Sequence, residues 1–405
     1  MQMNDELVGE IRDLAVLDGL AAPSDGVGAI ATLAWQIGEE VAGPHADDVD
    51  SQARFPVEAV EALRSSGLLA ALVPTELGGG GARLIEVAGA VRALSVHCTS
   101  SALVLAMHSI EVFNLVRHGS TPELRDVLRD VVTNGLLLAN ANSEVGIGGD
   151  VSRSRCALES LGTGWHLEKD ALAISYGEYA DAIVTIARSS VDAAETDQVM
   201  MVCRKADVRS QQTSEWRTLG LRGTCSSGFH LSADVPAGVI FPVPFSVISN
   251  DGAAQARQIL LSAAWVGLAE AAGAKAHAYV RAAAKKSIGT LPPAAVHVAE
   301  LAADLQVARS LLVGTALRFE ELDRIHDAEN AGLMVALRSL KVGTSELAVK
   351  TATKALGICG MAGFRTDTPF SMDRVIRDAH GSMVMVSNDR LLVDNAQLLI
   401  ARKAL

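Results

Sequence analysis

The sequence is short of cysteine, of clustered positive charge and of long apolar runs, and each shortage removes a class of function. Its five cysteines, Cys98, Cys156, Cys203, Cys225 and Cys359, are odd in number and scattered, with no C-x-x-C pair. Neither a disulfide framework nor a zinc ribbon is supported, and no metal site is expected. Against 47 Asp and Glu stand only 35 Lys and Arg, for a formal net charge of −12, and no basic run exceeds two residues. Without a dense basic face, nucleic acid is not an expected partner, and an anionic ligand needs a local basic pocket. The longest apolar stretch, around Ile259–Ala269, is far short of the roughly 18 residues that span a bilayer, so no membrane partner is expected either. The opening MQMNDELVGEIRD carries acids where a secretory leader needs a basic region and an apolar core. The expectation is a soluble, cytoplasmic protein that handles a small molecule.

What is present fits a globular chain. Hydrophobic residues make up 49% and charged residues 20% of 405 positions, enough for two or three lobes at roughly 100–200 residues each. Residues 1–28 read as a lead-in. From 29 to 140 the pattern is helical: Phe55-Pro56 opens one helix, Gly67 ends it, and a Val73–Gly81 segment, VPTELGGGG, leads to a helix from Leu84 through Ser109 and beyond. From 141 to 251 the texture is that of short strands. Ala182–Ala187 (AIVTIA), Gln198–Val202 (QVMMV) and Gly238–Phe241 (GVIF) are β-rich runs bounded by turn residues. From 252 to 405 it is helical and alanine-rich, with a buried stripe predicted at Leu301, Leu305, Ala308, Leu312, Ala316 and Phe319 and a helix break at Gly289–Pro293. The fold class expected is α+β, mostly α: an N-terminal helical domain, a central β-barrel or sandwich domain, and a C-terminal four-helix bundle.

One segment invites a ligand. Asn142–Asp150 reads NSEVGIGGD. Three glycines in four positions let the backbone approach closely and offer N–H donors, and Ser143 adds a hydroxyl at the entrance. This is neither a G-x-G-x-x-G fingerprint nor a P-loop. On its own it reads equally as a tight loop between domains.

Three further stretches follow in order: Ala173–Ser189 (AISYGEYADAIVTIARS), Leu219–Pro236 (LGLRGTCSSGFHLSADVP) and Gly363–Ala379 (GFRTDTPFSMDRVIRDA). With the glycine loop and VPTELGGGG, they resemble the acyl-CoA dehydrogenase superfamily over about residues 30–405. The loop looks like that family's T-E-P-G-A-G-S-D, and the next stretches like its W-I-T-N-G, its G-x-R-G-[ST] strand ending in V-P, and its R-[ILM]-x-R-D-A run. The resemblance implies a flavin, normally FAD, held between the β domain and the C-terminal helices of a homotetramer, with a neighbouring subunit completing the site. It implies cofactor contacts at Asn142, Ser143, Gly148, Gly149, Ser175, Lys285, Ser287 and Gly360. Ser175 matches the hydroxyl beside the flavin N5 and O4, where it can donate to a reduced, negatively charged ring.

Departures from the family pattern bear on the reaction. Its shielding tryptophan becomes Ala173. Its cross-subunit arginine is replaced within Lys285–Gly289, where lysine binds phosphate as a point charge. Its catalytic glutamate becomes Val386, and Arg257 and Gln258, where some members keep an alternative base, are not bases. Asp389, three residues past Val386, is the nearest acidic substitute and shares a helix face with it if the segment is helical. His108 is a lone histidine on an apolar helix and reads as a core residue. In the superfamily's monooxygenase branch, a histidine from those helices and a serine beside the flavin assist oxygen chemistry, which makes His108 and Ser175 functional candidates and His380, directly after R-D-A, a second histidine. Three functions follow: an FAD-dependent dehydrogenase of an acyl thioester on coenzyme A or a carrier protein; a flavin monooxygenase or N-hydroxylase of the same fold, where FMN can serve; and a non-catalytic flavin-binding subunit.

Overall fold

The computed structural model describes residues 27–286, 290–327 and 330–401. The expected lead-in and Ser287 therefore lie outside the described residues, apart from the last positions of the former. The chain starts with Val27–Ile37 (α1), passes through a π-turn into Gly43–Ser51 (α2), and continues as Val57–Ser65 (α3). Pro56 occupies the N-cap of α3, and Gly67 follows it at φ 77°. The glycine run after Val73 is a close-packing device: a Cβ on Gly79 would lie 2.2 Å from the Val73 carbonyl oxygen. The single helix expected from Leu84 is two, Leu84–His97 (α4) and Thr99–His118 (α5), because Cys98 is extended (φ −148°, ψ 106°). Pro122–Asn134 (α6), capped by the Thr121 hydroxyl, completes this layer.

The central strands form two sheets. Leu138–Ala141 (β1), Ala182–Arg188 (β4) and Gln198–Arg204 (β5) make one, in the order β1-β4-β5 with β1 parallel to β4. Leu158–Ser160 (β2), Gly164–Ala171 (β3), Val208–Ser214 (β6) and Gly228–Pro236 (β7) make an antiparallel sheet in the order β2-β3-β7-β6. A small core joins the two, with Leu158, Leu167, Ala233 and Val235 of the second facing Ala187, Met201 and Cys203 of the first. GVIF is not a strand. Ala237–Val239 is a 3-10 turn, and Ile240 makes only an isolated bridge to Met201.

The C-terminal layer comprises Phe245–Ile248 (α7), Ala254–Lys286 (α8), Ala295–Arg324 (α9), Ala331–Cys359 (α10), Met361–Phe364 (α11), Asp373–Val384 (α12) and Asn388–Ala401 (α13). The six positions of the predicted stripe on α9 are all buried. α8 is the central helix: it packs against α4 and α5 on one side and α9, α10 and α12 on the other. Looking for the longest apolar stretch missed a property of two segments, one in the N-terminal and one in the C-terminal layer. α5 and the Phe245–Lys286 segment are long and apolar enough by composition to cross a bilayer, yet 89% and 94% of their apolar windows are buried inside the fold.

His108 is fully buried on α5 and joins two layers. Its Nε2 donates to the Leu69 carbonyl (2.8 Å), while its Nδ1 accepts from the Leu138 N–H of β1 (3.1 Å). Both nitrogens are occupied by backbone and the neutral tautomer is set by those partners. Burial pulls its pKa down to about 4. A group kept neutral this way contributes stability above its unfolded value near 6.5, and that contribution is lost as pH falls through 4, by about 3 kcal/mol in total. Chemical denaturation at a series of pH values should show this loss in the wild type and not in His108→Leu. The variant should be weaker at pH 7 by roughly 2–5 kcal/mol, because the Leu69 carbonyl and Leu138 N–H are left unpaired.

Candidate active site

The site is built where two of the sequence motifs dock. Gly220 lies so close to α12 that a Cβ there would be 2.3 Å from the Arg377 carbonyl carbon and oxygen. Leu221, at φ 55°, donates its N–H to Asp378 Oδ1 (2.6 Å). Arg377 grips Asp50 of α2 with two nitrogens (2.9 and 2.6 Å), and Arg222 adds a bond to the same carboxylate (3.2 Å). Burial pushes the Asp50 carboxyl up, but the two guanidiniums outweigh it and hold it below the ordinary value. Burial dominates at Asp378, against the opposing Arg374, and raises it to about 6.

Behind this joint lies a cavity of about 610 Å³, a size typical of small-molecule sites. Ala173, Ser175, Thr224 and Ser226 line one side, Trp216 and the Thr218–Leu221 turn the second, and His380, Gly381 and Met383–Met385 the third. No carboxylate is among the lining residues, and His380 is the one titratable side chain there. Ala173, Ser175 and His380 therefore line one cavity.

The glycine loop abuts the same wall. Ser143 Oγ donates to the Ala173 carbonyl (3.1 Å), two residues from Ser175. Gly146, Gly148 and Gly149 have φ of 87°, 59° and 76°, and a Cβ on Gly148 would meet no atom within 4 Å. Asn142 is buried with its Oδ1 unpartnered. Arg390, on the first turn of α13, reaches the Gly148 and Gly149 carbonyls. No local pattern marked Arg390, because the loop it meets is more than 240 positions away in the chain. Open backbone and a guanidinium suit a phosphate-bearing cofactor, whereas the unpartnered Asn142 oxygen calls for an N–H or O–H donor.

Other expected residues lie elsewhere. Asp389 is exposed on the first turn of α13 and does not line the cavity. It shares no helix face with Val386, since the chain breaks between α12 and α13 with Val386 at φ 55°. A β-branched residue in that region is strained. Lys341 holds it there from α10: its fully buried Nζ donates to the Val386 carbonyl (2.5 Å) and Asn388 Oδ1 (2.7 Å). Burial pulls the Lys341 ammonium down to about 8. Gly360 turns the chain between α10 and α11 at φ 54°, and Lys285 is exposed on the last turn of α8; neither lines the cavity. His108 is in the core described above.

The loop is anchored by a buried ion pair. Lys169, on β3, donates to Glu144 Oε1 (3.1 Å) and the Ile186 carbonyl (2.7 Å), and Glu144 also accepts from Ser154 Oγ and the Arg155 N–H. Burial pushes the Glu144 carboxyl up, and Lys169 with these donors overrides it and lowers it. Lys169→Met should cost about 3–5 kcal/mol, since it strands a buried carboxylate. Denaturant unfolding should show that loss, and limited proteolysis of the folded variant should cut first within residues 143–155.

Comparison with known proteins agrees with this architecture. The family model described as acyl-CoA dehydrogenase, N-terminal domain, matches residues 28–135, and that of the C-terminal domain matches residues 250–385. The "probable acyl-CoA dehydrogenase FadE25" of Mycobacterium tuberculosis is 26% identical over 85% of this chain and 87% of its own. Cyclohex-1-ene-1-carbonyl-CoA dehydrogenase of Syntrophus aciditrophicus is 23% identical over 86% and 83%. Among solved structures, butyryl-CoA dehydrogenase of Megasphaera elsdenii superposes with a TM-score of 0.81 at 19% identity, covering 93% of this chain and 98% of that one. FMN-bound TdsC of Paenibacillus sp. A11-2 does so with 0.82 at 20% identity, covering 92% and 98%. Helical, sheet and bundle layers, the docked motifs and both family models place this chain in the acyl-CoA dehydrogenase family of oxidoreductases.

Proposed function

We propose that the chain is a flavin-dependent oxidoreductase that uses reduced flavin and O₂ to oxygenate a small substrate. The observation that carries this reading is the cavity wall beside Ser175, which holds hydroxyls, one histidine and thioethers but no carboxylate. Dehydrogenation of an acyl thioester removes an α-proton as hydride leaves the β-carbon. A positioned base typically contributes 10²–10⁴-fold to such a proton transfer. With Val386 and Asp389 both outside its lining, the cavity offers no carboxylate for that step. A flavin bound here, once reduced by an external electron donor, would supply the two electrons for the reaction with O₂. Ser143, Gly148, Gly149 and Arg390 would hold it, Ser175 would present a hydroxyl to its ring, and His380 is the group that can hold or move a proton at the substrate. Ala173 leaves room where a tryptophan would close the space. FAD and FMN both fit this reading, since two neighbouring structures of the same fold are described with FMN.

Dehydrogenation of an acyl thioester is the second reading, favoured by relatives named for it across 85% of the chain. In either case a homotetramer is part of the proposal. Leu392, Val393 and Ile400 are 48%, 56% and 85% exposed on α13, an apolar surface that suits contact with a second copy.

Flavin-loaded protein mixed anaerobically with straight, branched and cyclic acyl-CoA thioesters should keep its oxidised visible absorbance. Reduced chemically and then exposed to air, it should regain its oxidised absorbance only after a lag, and His380→Ala should shorten that lag. Bleaching by a thioester without O₂ would transfer the assignment to the second reading.

A further inference from the structure

Three hydroxyls stand in line on the cavity wall. Thr224 Oγ1 lies 2.9 Å from the Leu221 carbonyl oxygen and 2.8 Å from Ser226 Oγ, and Ser226 Oγ lies 2.8 Å from Ser175 Oγ. Each hydroxyl has one proton to give. At the last pair Ser226 donates and Ser175 accepts. The proton of Ser226 is then spent, so the bond between Thr224 and Ser226 uses the proton of Thr224, shared with the Leu221 carbonyl. Ser175 keeps its own proton, which goes to no described residue. Thr224 and Ser226 are only 3% and 6% exposed, so water competes little for their hydroxyls.

The far end of the line is fixed as well. Leu221 is pinned through its N–H by Asp378, and Asp378 sits beside the Arg377 that grips Asp50. The relay is therefore anchored in the joint between motifs, and its other end faces the cavity.

We infer that Thr224 and Ser226 are positioning residues that set the polarity of the Ser175 hydroxyl, so that it acts as a donor toward the flavin ring. The inference rests on the flavin reading above. A hydroxyl that accepts a hydrogen bond is polarised and becomes a better donor, by roughly 10–30% per bond. Ser175 then stabilises the reduced, negatively charged ring more than the oxidised one. Ser226 contributes to this only through Ser175.

The test is the two-electron reduction potential of the bound flavin in variants that retain it, read by equilibration with a reference dye. Ser175→Ala should lower the preference for reduced over oxidised flavin about tenfold or more, as loss of a hydrogen bond to a charged group implies. Ser226→Ala should lower it about threefold, close to 15 mV for a two-electron couple. Ser226→Thr, which keeps the donor, should restore the wild-type value. Placed on top of Ser175→Ala, Ser226→Ala should change nothing further, whereas a structural role would show equally in both backgrounds. An unchanged potential in flavin-loaded Ser226→Ala, or an equal shift in the Ser175→Ala background, overturns the relay alone. Wild-type protein that takes up neither FAD nor FMN overturns the flavin reading and the relay with it.

Discussion

Asp50 is the point on which the site depends. Its buried carboxylate takes Arg377 from the C-terminal bundle and Arg222 from the β domain while belonging itself to the N-terminal helices. One charge thus ties three parts of the chain together. A buried carboxylate is costly unless paired, and here two guanidiniums and their geometry pair it. Around this joint Gly220 presses on α12, Asp378 holds Leu221, and the Thr218–Leu221 turn becomes a wall of the cavity. The R-D-A and G-L-R-G-T motifs therefore act on chemistry at one remove. They set the positions of Ser175, His380 and the hydroxyls between them.

Much of the fold was legible in the sequence because its signals are local. The α9 stripe at Leu301–Phe319, the helix opened by Pro56, and the strands at Ala182 and Gln198 were read from spacing and turn residues alone. β3 was not, because its inward positions include Lys169, a charge buried only by virtue of Glu144 twenty-five residues away. GVIF looked like a strand, but pairing decides strands, and it forms a single isolated bridge, Ile240 to Met201. The break at Cys98 has no helix-breaking residue to announce it.

The candidate site divides in the same way. Ser143 and Ser175 drew notice because each sits in a motif with a recognisable spacing, and Ser175 lines the same cavity as His380. His108 resembled a chemical residue only while its partners were unseen; Leu69 and Leu138 lie 39 and 30 residues away and are backbone groups. Asp389 was placed by counting along a helix that the Lys341–Val386 bond interrupts. Arg390 comes from a distant helix, so no spacing could point to it.

A cavity wall with no carboxylate among its lining residues gives the site its character. Lys341 holds the Val386 backbone in a conformation few residues adopt, and the adjoining Met383–Met385 segment lines the cavity with apolar side chains. Family membership supplies the scaffold, and the cavity wall decides which reaction it can support. The most direct measurement is α-proton exchange: flavin-loaded protein incubated with a saturated acyl-CoA thioester in deuterated water, with the thioester then examined by mass spectrometry. The account predicts no deuterium at the α-carbon beyond the protein-free control. Protein-dependent exchange abolished by heat denaturation would show a working base in the cavity and contradict it.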